Sequence, residues 1–249
     1  PQKHITAAVP AAAFLQYSTY TIKEHEMPAI KRTREEIDAF IRQVQSEELP
    51  VIDRAIRTAT YAHSGAVRKG TAVPYILHPL EAAAIVTQVI AEQRGTAPDA
   101  MTPSDNFIIA AAILHDTVED TDLTTEDIKT LFGPETAALV AAETENKRGS
   151  CPAAETWKLR KTESIKHLAV ASEDAKLVAF GDKLSNLRAI AADHRRLGDA
   201  LWDKFNQKDP AEHGWYYGAM GIIFEKAFSG MLLLKEYRNL YSTVFNIQD

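Results

Sequence analysis

Apolar residues recur every three or four positions along most of the chain, which is the spacing of one face of an α-helix. In the segment RTREEIDAFIRQV this face consists of Ile37, Phe40, Ile41 and Val44. The segment that follows Pro50 continues the same spacing, and no segment alternates apolar and polar residues as a half-buried strand does. The pattern therefore predicts an all-α fold of about eight to ten helices in a single domain.

Breaks in the apolar pattern indicate the connections between the first helices. Gly65 and Gly70 bracket a short basic loop, AVRK, and the next helix begins in YILHPLEAAAIVTQVI. Residues 92–106 contain one Gly, two Pro and several small polar residues. We therefore expect a long loop there, with Ser104 or Asp105 capping the helix that follows.

The second half of the chain predicts further helices of the same kind. Thr124 or Thr125 is expected to cap a short helix, and Pro134 opens the next one. Residues 145–155 predict a loop, while the apolar spacing predicts helices over 157–172 and 174–194 and a final helix over about 212–241. Residues 1–27 show little periodicity and are expected to form an extension of a domain over 28–249.

Composition and charge narrow the class of protein. The 249 residues carry a net charge of −6, which disfavours an extended nucleic-acid-binding face. No apolar run approaches the roughly 20 residues that span a bilayer, and no secretory signal is apparent. With Cys151 as its one cysteine, the chain is expected to be cytoplasmic. A small phosphorylated ligand remains compatible, because it needs only a few local Arg and Lys side chains.

The segment AAILHDTVEDT, residues 111–121, gathers charged groups directly after an apolar run. Because TVEDT contains no Gly or Pro, we expect the helix to continue and to place His115, Asp116, Glu119 and Asp120 on neighbouring positions of one face. Carboxylates on one helix face repel one another, and a divalent cation removes that cost. Taken alone, however, the segment is more typical of a solvated helix end than of a metal site.

Two distant segments strengthen the metal hypothesis. His78 ends the apolar stretch YILHP, and Asp182 lies inside the strongly apolar segment LVAFGDKLSNLRAI. An unpaired buried carboxylate is costly, so Asp182 either has a partner or lies at a surface or kinked position beside Gly181. With His115 and Asp116 these residues supply two imidazoles and two carboxylates, a donor set that suits Mn²⁺, Fe²⁺ or Zn²⁺ with positions open to water.

The order H…HD…D resembles that of the HD metal-dependent phosphohydrolases. More specifically, YAHSGAVRKGTAVPYILHP, AAILHDTVEDTDLTTEDIKTLFG and LVAFGDKLSNLRAI together resemble the hydrolase domain of the RelA/SpoT family, above all its stand-alone small alarmone hydrolases. The resemblance covers about residues 51–205. It implies an HD-type helical fold and a hydrolase that uses Mn²⁺, or another divalent metal, to remove the 3′-pyrophosphate of (p)ppGpp. Since only about 45 residues follow the matched region, we expect no synthetase activity.

The resemblance also assigns roles to individual residues. It implies four metal ligands, which are His78, His115, Asp116 and Asp182. It implies that Glu119 and Asp120 activate or position the attacking water.

On the substrate side, the resemblance places Arg68 against the purine, with Lys69 beside it, and Asn186 at the border of the base pocket. Asp182 and Asn186 are four residues apart, so one helix face would direct both into the same cavity. Lys158 and Lys161 are candidates for holding the 5′-phosphates, although a solvated helix surface is the alternative for each.

Departures from the family pattern leave the substrate open. Loop 92–106 is longer than usual, and both GTAV at 70–73 and Ala189 differ from the long enzymes near the base pocket. The alarmone (p)ppApp and the 2′-phosphate of NADPH are therefore alternatives to (p)ppGpp. Another HD nucleotidase, or a domain that only binds nucleotide, is disfavoured because all four ligands and the RKGT and EDT segments are present. The expected partner is a small purine nucleotide, for a monomer or homodimer that binds neither nucleic acid nor a membrane.

Overall fold

A computed structural model describes residues 27–94, 101–149 and 151–246. Its helices, in chain order, are α1 Arg34–Ser46, α2 Val51–Ala62, α3 Leu77–Arg94, α4 Pro103–Leu114, α5 Thr117–Asp120, α6 Thr125–Glu143, α7 Ala153–Val170, α8 Glu173–Leu197, a 3₁₀-helix Gly198–Lys204, α9 Pro210–Phe228 and α10 Leu232–Phe245. Within these ranges the only β-type pairing is an isolated bridge between Val67 and Pro74. The predicted all-α fold is confirmed, whereas the predicted extension 1–27 lies outside the described residues except for Met27.

Capping residues fix several helix starts. Thr124 accepts a hydrogen bond from the Asp127 backbone at the start of α6, as expected. The prediction that Ser104 or Asp105 caps α4 is wrong, because Thr102 is the N-cap and Asp105 is its partner in a capping box. Pro103 explains the shift: it occupies the first helical position, where its missing N–H costs nothing.

Three other predicted boundaries need correction. Helix α3 ends at Arg94 and α4 begins at Pro103, so both ends of the loop predicted over 92–106 are helical. The loop predicted over 145–155 ends earlier, because α7 begins at Ala153. The single helix predicted over 212–241 is two helices, α9 and α10, because Gly230 adopts a left-handed backbone with φ of +88°. Gly133 similarly interrupts α6, with φ of +85°, directly before Pro134.

The described helices pack around one core, in which α4 is central. Residues 108–114 of α4 are all buried, so this helix is apolar on every side. The aromatic residues Tyr216, Tyr217 and Phe224 of α9 are also buried against this core. None of the described helices combines the length and the apolar character that crossing a membrane requires.

Helices α3 and α8 approach each other closely at Gly181. A Cβ atom added there would lie 2.7 Å from the carbonyl oxygen of Ala82 and 2.9 Å from Cγ2 of Val86. Glycine is therefore required for the close contact of these helices. Because α3 carries His78 and α8 carries Asp182, this contact also brings two distant parts of the sequence together at the site.

Substituting Gly181→Ala is expected to destabilise the protein by about 1–3 kcal/mol, because the backbone of α3 must move away from the new methyl group. Urea unfolding of the metal-free protein measures this loss. Gly149→Ala is the matched control, since a Cβ there meets nothing within 4 Å. Equal free energies of unfolding for the two variants would show that the close contact does not contribute.

Candidate metal centre and substrate cavity

The HD segment folds differently from its prediction. The helix does not continue through TVEDT: α4 ends at Leu114, and Asp116, with φ of −93° and ψ of −3°, separates it from the short α5. The hydroxyl of Thr117 donates to the carbonyl of Leu114 at 2.7 Å and stabilises this turn. The turn, rather than one continuous helix face, therefore presents the His115–Asp116 pair.

Four side-chain atoms from three regions of the chain converge at this turn. Nε2 of His78 lies 3.1 Å from Oδ1 of Asp182 and 3.6 Å from Oδ2 of Asp116. Nε2 of His115 lies 3.0 Å from Oδ2 of Asp116 and 3.6 Å from Oδ1 of Asp182. The structure thus brings together all four residues that the resemblance assigns as metal ligands.

This donor set fits a divalent cation. One atom each from His78, His115 and Asp116 lies within 4.8 Å of the others. Nε2 of His115 is buried and has no hydrogen-bond partner, because its approach to Asp116 lacks hydrogen-bond geometry. Ligand atoms about 2.1 Å from one ion at right angles are about 3 Å apart, which is close to the spacing observed.

The orientation of His115 also suits ligation. Its Nδ1 lies 2.8 Å from the carbonyl oxygen of Ala112, and a carbonyl only accepts hydrogen bonds. Nδ1 therefore carries a proton, and in the neutral ring Nε2 presents its lone pair to the two aspartates.

Charged neighbours shift the pKa of both His115 and Asp182. Burial disfavours an imidazolium, but Asp116 and Asp182 outweigh burial and raise the pKa of His115 well above its ordinary value. Burial also opposes the charge of Asp182, yet Lys183 and the two histidines lower the pKa of this carboxyl well below its ordinary value.

Metal affinity is therefore expected to rise with pH. Since the pKa of His115 is raised above its ordinary value, the ring keeps a second proton to higher pH than a free imidazole does, and ligation must displace that proton. Below the raised pKa, the Kd for Mn²⁺ should fall by about tenfold per pH unit for one displaced proton. Calorimetric titration between about pH 6 and pH 8 measures the slope. A Kd that stays constant over this range would contradict the expectation.

Glu119 and Asp120 lie beside the cluster and are held by different partners. The backbone N–H of Glu145 donates to Oε2 of Glu119 at 2.9 Å, while Asp120 forms an ion pair with Lys147. The hydroxyl of Tyr75 lies 2.6 Å from Oδ2 of Asp116 and 3.2 Å from Oδ2 of Asp120. Tyr75 thus connects the metal cluster with the second acidic pair.

The environment of Glu119 suits a general base. Burial, followed by the negative charge of Asp116, raises the pKa of Glu119 to about 7. A carboxyl with this pKa changes its protonation state near neutral pH, which is where proton transfer to a general base is most effective.

The cluster lies in a cavity of about 560 Å³. Five basic residues line it: Arg68, Lys69, Lys161, Lys183 and Lys204. Asn186 lines it as well, so the structure brings four of the five expected substrate-binding residues to one cavity. It does not bring Lys158 there, because that side chain pairs with Glu212 and its Nζ lies 3.4 Å from the ring centroid of Trp215.

The expected purine side of the cavity is connected to the cluster. Arg68 donates to Oδ1 of Asn186 at 2.9 Å, and the amide of Asn186 donates in turn to Oδ1 of Asp182. The guanidinium of Arg68 lies 5.9 Å from the ring centroid of Tyr75. These contacts hold Arg68 at the cavity wall. Tyr75, which Arg68 approaches, in turn donates a hydrogen bond to Asp116 of the cluster.

Sequence reasoning missed several residues of this site. Lys183 is partly buried between Asp182 and Glu143, and its sequence signal was its place directly after a candidate ligand. Tyr75, three residues before His78, had the same kind of signal. Lys204, the last residue of the 3₁₀-helix, and Phe205, which follows it, also line the cavity, and the sequence had no motif to identify them.

An all-helical core that joins a His-Asp pair to a distant histidine and a distant aspartate has the arrangement of an HD domain. The chain belongs to the HD-domain family, whose model matches residues 55–205. This match confirms the resemblance expected from the motifs.

Similarity to individual relatives points to a narrower class of activity than the family match does. The chain is 35% identical over 146 residues to the Xenopus tropicalis protein guanosine-3′,5′-bis(diphosphate) 3′-pyrophosphohydrolase MESH1, covering 58% of this chain and 72% of the relative. The Danio rerio protein of the same name is 40% identical over 117 residues, which are 47% of this chain and 56% of that relative. A solved structure of a metazoan SpoT ortholog, described as hydrolysing ppGpp, matches with a TM-score of 0.55 and 25% identity, covering 78% of this chain and 97% of that one.

Proposed function

We propose that this protein is a metal-dependent hydrolase that removes the 3′-pyrophosphate of (p)ppGpp to give GDP or GTP and pyrophosphate. The main support is the convergence of four metal-ligand atoms, from His78, His115, Asp116 and Asp182, at a cavity that basic side chains also line. The named activity of the frog and zebrafish relatives supports the same reaction.

In this proposal His78, His115, Asp116 and Asp182 hold the metal, for which we propose Mn²⁺. When bound, a divalent cation lowers the pKa of water and polarises a phosphoryl oxygen. The mixed imidazole and carboxylate donors suit Mn²⁺, since carboxylates favour this ion and a site with thiolates would select others.

Glu119 takes the proton of the attacking water in the proposed reaction. The water oxygen bonds to the phosphorus attached to the ribose 3′-oxygen, the bond between that phosphorus and the 3′-oxygen breaks, and the 3′-oxygen takes up the proton that Glu119 received. Asp120, held by Lys147 and Tyr75, positions Glu119 or the water.

We assign the two ends of the nucleotide from the residues that line the cavity. Arg68 and Asn186 form the purine end, where a guanidinium can stack on the base. Lys69 and Lys161 line the same cavity and are assigned to the phosphates. We do not assign Lys158 to a phosphate, because it is engaged with Glu212 outside this cavity.

The alarmone (p)ppApp is the second candidate substrate. The purine end presents Asn186, whose amide can both donate and accept, and Ala189, which has no polar atom that would select guanine. NADPH remains the third substrate to test. The cytoplasmic location and the monomeric or homodimeric state stay predictions.

A substrate panel tests this proposal. The protein is incubated with Mn²⁺ and either ppGpp, ppApp, NADPH or GMP, and pyrophosphate and phosphate are quantified by ion chromatography. We expect pyrophosphate and GDP in equal amounts from ppGpp. Release of pyrophosphate from neither alarmone would contradict the proposed reaction, and release from ppApp alone would replace its substrate.

A further inference from the structure

A buried hydroxyl links His78 to a carboxylate on its own helix. Nδ1 of His78 lies 2.8 Å from Oγ of Ser185, and Oγ of Ser185 lies 2.7 Å from Oε2 of Glu81. Ser185 is 1% exposed and His78 is 4% exposed, so water does not replace either contact. Both hydrogen bonds therefore share the single proton and the lone pairs of one hydroxyl.

The positions of the protons on Ser185 and His78 follow from the acceptor Glu81. The Ser185 hydroxyl donates to the carboxylate oxygen Oε2 of Glu81, so its single proton points to Glu81. Ser185 then has only lone pairs to offer His78, which must donate from Nδ1–H. In the neutral ring this leaves Nε2 unprotonated, facing Asp116 and Asp182.

We propose that Ser185 and Glu81 are positioning residues of the metal centre, which set the tautomer and the ring orientation of His78. The inference rests on the metal site of the proposed function, but not on its substrate. In this arrangement the carboxylate of Glu81 is as necessary for the tautomer of His78 as the hydroxyl of Ser185 is. Without Glu81 the hydroxyl is free to turn and donate to Nδ1, which places the ring proton on Nε2 and blocks ligation.

The link continues across the fold from Glu81. The guanidinium of Arg188 donates to Oε1 of Glu81 at 3.1 Å, and its other nitrogens donate to both carboxylate oxygens of Glu236 at 2.7 and 2.8 Å. The ion pairs of Arg188 thus connect α3 with α10 through α8. Because Glu236 acts only through Arg188, removing its charge should affect the metal centre much less than removing the hydroxyl of Ser185.

The test measures Mn²⁺ affinity of the whole protein by calorimetry, without any nucleotide. We expect Ser185→Ala and Glu81→Ala each to weaken Mn²⁺ binding by about 10- to 100-fold, and Ser185→Thr, which keeps the hydroxyl, to stay within about threefold of the parent. Thr58→Val is the matched control, because it removes a buried hydroxyl that bonds to the backbone of α2.

A second readout reports the tautomer directly. In the metal-free protein at about pH 8, long-range ¹⁵N–¹H spectra should show His78 protonated at Nδ1, and Ser185→Ala should shift this ring towards the other tautomer. A His78→Asn variant assigns the signal among the eight histidines. This readout distinguishes control of the tautomer from a general loss of packing, which would leave the ring proton where it is.

Parent-like Mn²⁺ affinity in Ser185→Ala or in Glu81→Ala would overturn the inference. An equal loss of affinity in Ser185→Thr would also overturn it, because the hydroxyl would then be irrelevant. Glu81 is partly exposed, so Glu81→Ala provides a decisive variant even if Ser185→Ala does not fold. Since no substrate is present, these outcomes are independent of whether ppGpp is hydrolysed.

Discussion

Asp182→Ala is expected to abolish both Mn²⁺ binding and the release of pyrophosphate from ppGpp. Oδ1 of Asp182 lies 3.1 and 3.6 Å from Nε2 of His78 and His115, so the substitution removes one of the two carboxylates that face both imidazoles. We expect activity to fall by at least about a thousandfold, which corresponds to about 4 kcal/mol of transition-state stabilisation. Initial rates at saturating Mn²⁺, together with the metal content of the purified variant, measure both effects.

Controls for this substitution separate lost ligation from lost folding. Asp182→Ala leaves the partly buried ammonium of Lys183 without this partner, and uncompensated charges away from water are destabilising. Asp182→Asn keeps the shape and one oxygen, so it should fold and still lose most of the activity. Asp174→Ala, an exposed position in the first turn of the same helix, should behave as the parent. Full activity and metal content in either Asp182 variant would refute the assigned ligand.

Glu119→Gln is expected to lower kcat by about 10²- to 10⁴-fold while Mn²⁺ affinity stays close to that of the parent. Glutamine keeps the oxygen that accepts from the backbone N–H of Glu145, but it cannot take a proton from water. Rates and Mn²⁺ titrations on the same preparation measure the two effects separately. Glu126→Gln, at an exposed glutamate of α6, is the matched control.

The pH dependence of the same variant tests the role of Glu119 as a base. Burial raises the pKa of this carboxyl to about 7, so at lower pH it is protonated and cannot accept the proton of water. The kcat of the parent should therefore rise as the pH increases through this range, and Glu119→Gln should lose that dependence. A parent-like kcat, or an unchanged pH profile, would contradict a general base at this position.

The fold was predictable where local chemistry decides it. Apolar spacing identified α1 and α2, and the threonines at 124 and 125 identified the start of α6, where Thr124 is the cap. Two boundary predictions were wrong for local reasons that the spacing of apolar residues does not reveal. Pro103 moved the cap of α4 to Thr102, and Gly230 divided the last predicted helix through a left-handed backbone.

The convergence of His78, His115, Asp116 and Asp182 was predictable from their family pattern, but the geometry that achieves it was not. The sequence TVEDT contains no helix breaker, yet the chain turns at Asp116, whose carboxylate accepts a hydrogen bond from Tyr75 in a distant part of the sequence. Similarly, Gly181 suggested a kink, whereas its role is to let α8 approach α3. These features depend on packing between distant elements, which single-sequence periodicity does not report.

The substrate side was the least predictable part of the site. Lys158 and Lys161 differ by only about 60° around α7, so composition does not determine which of them faces the cavity. The structure places Lys161 at the wall, paired with Glu145 at 2.7 Å, and directs Lys158 to Glu212 and Trp215. The tertiary position of α9 decides between them.

The most direct test of the central claim is pyrophosphate release from ppGpp by protein stripped of metal and then titrated with Mn²⁺. We predict that the stripped protein is inactive, and that about one equivalent of Mn²⁺ restores the formation of pyrophosphate and GDP in equal amounts. Undiminished release by the stripped protein, or no pyrophosphate after Mn²⁺ is restored, would contradict a metal-dependent 3′-pyrophosphohydrolase at this site.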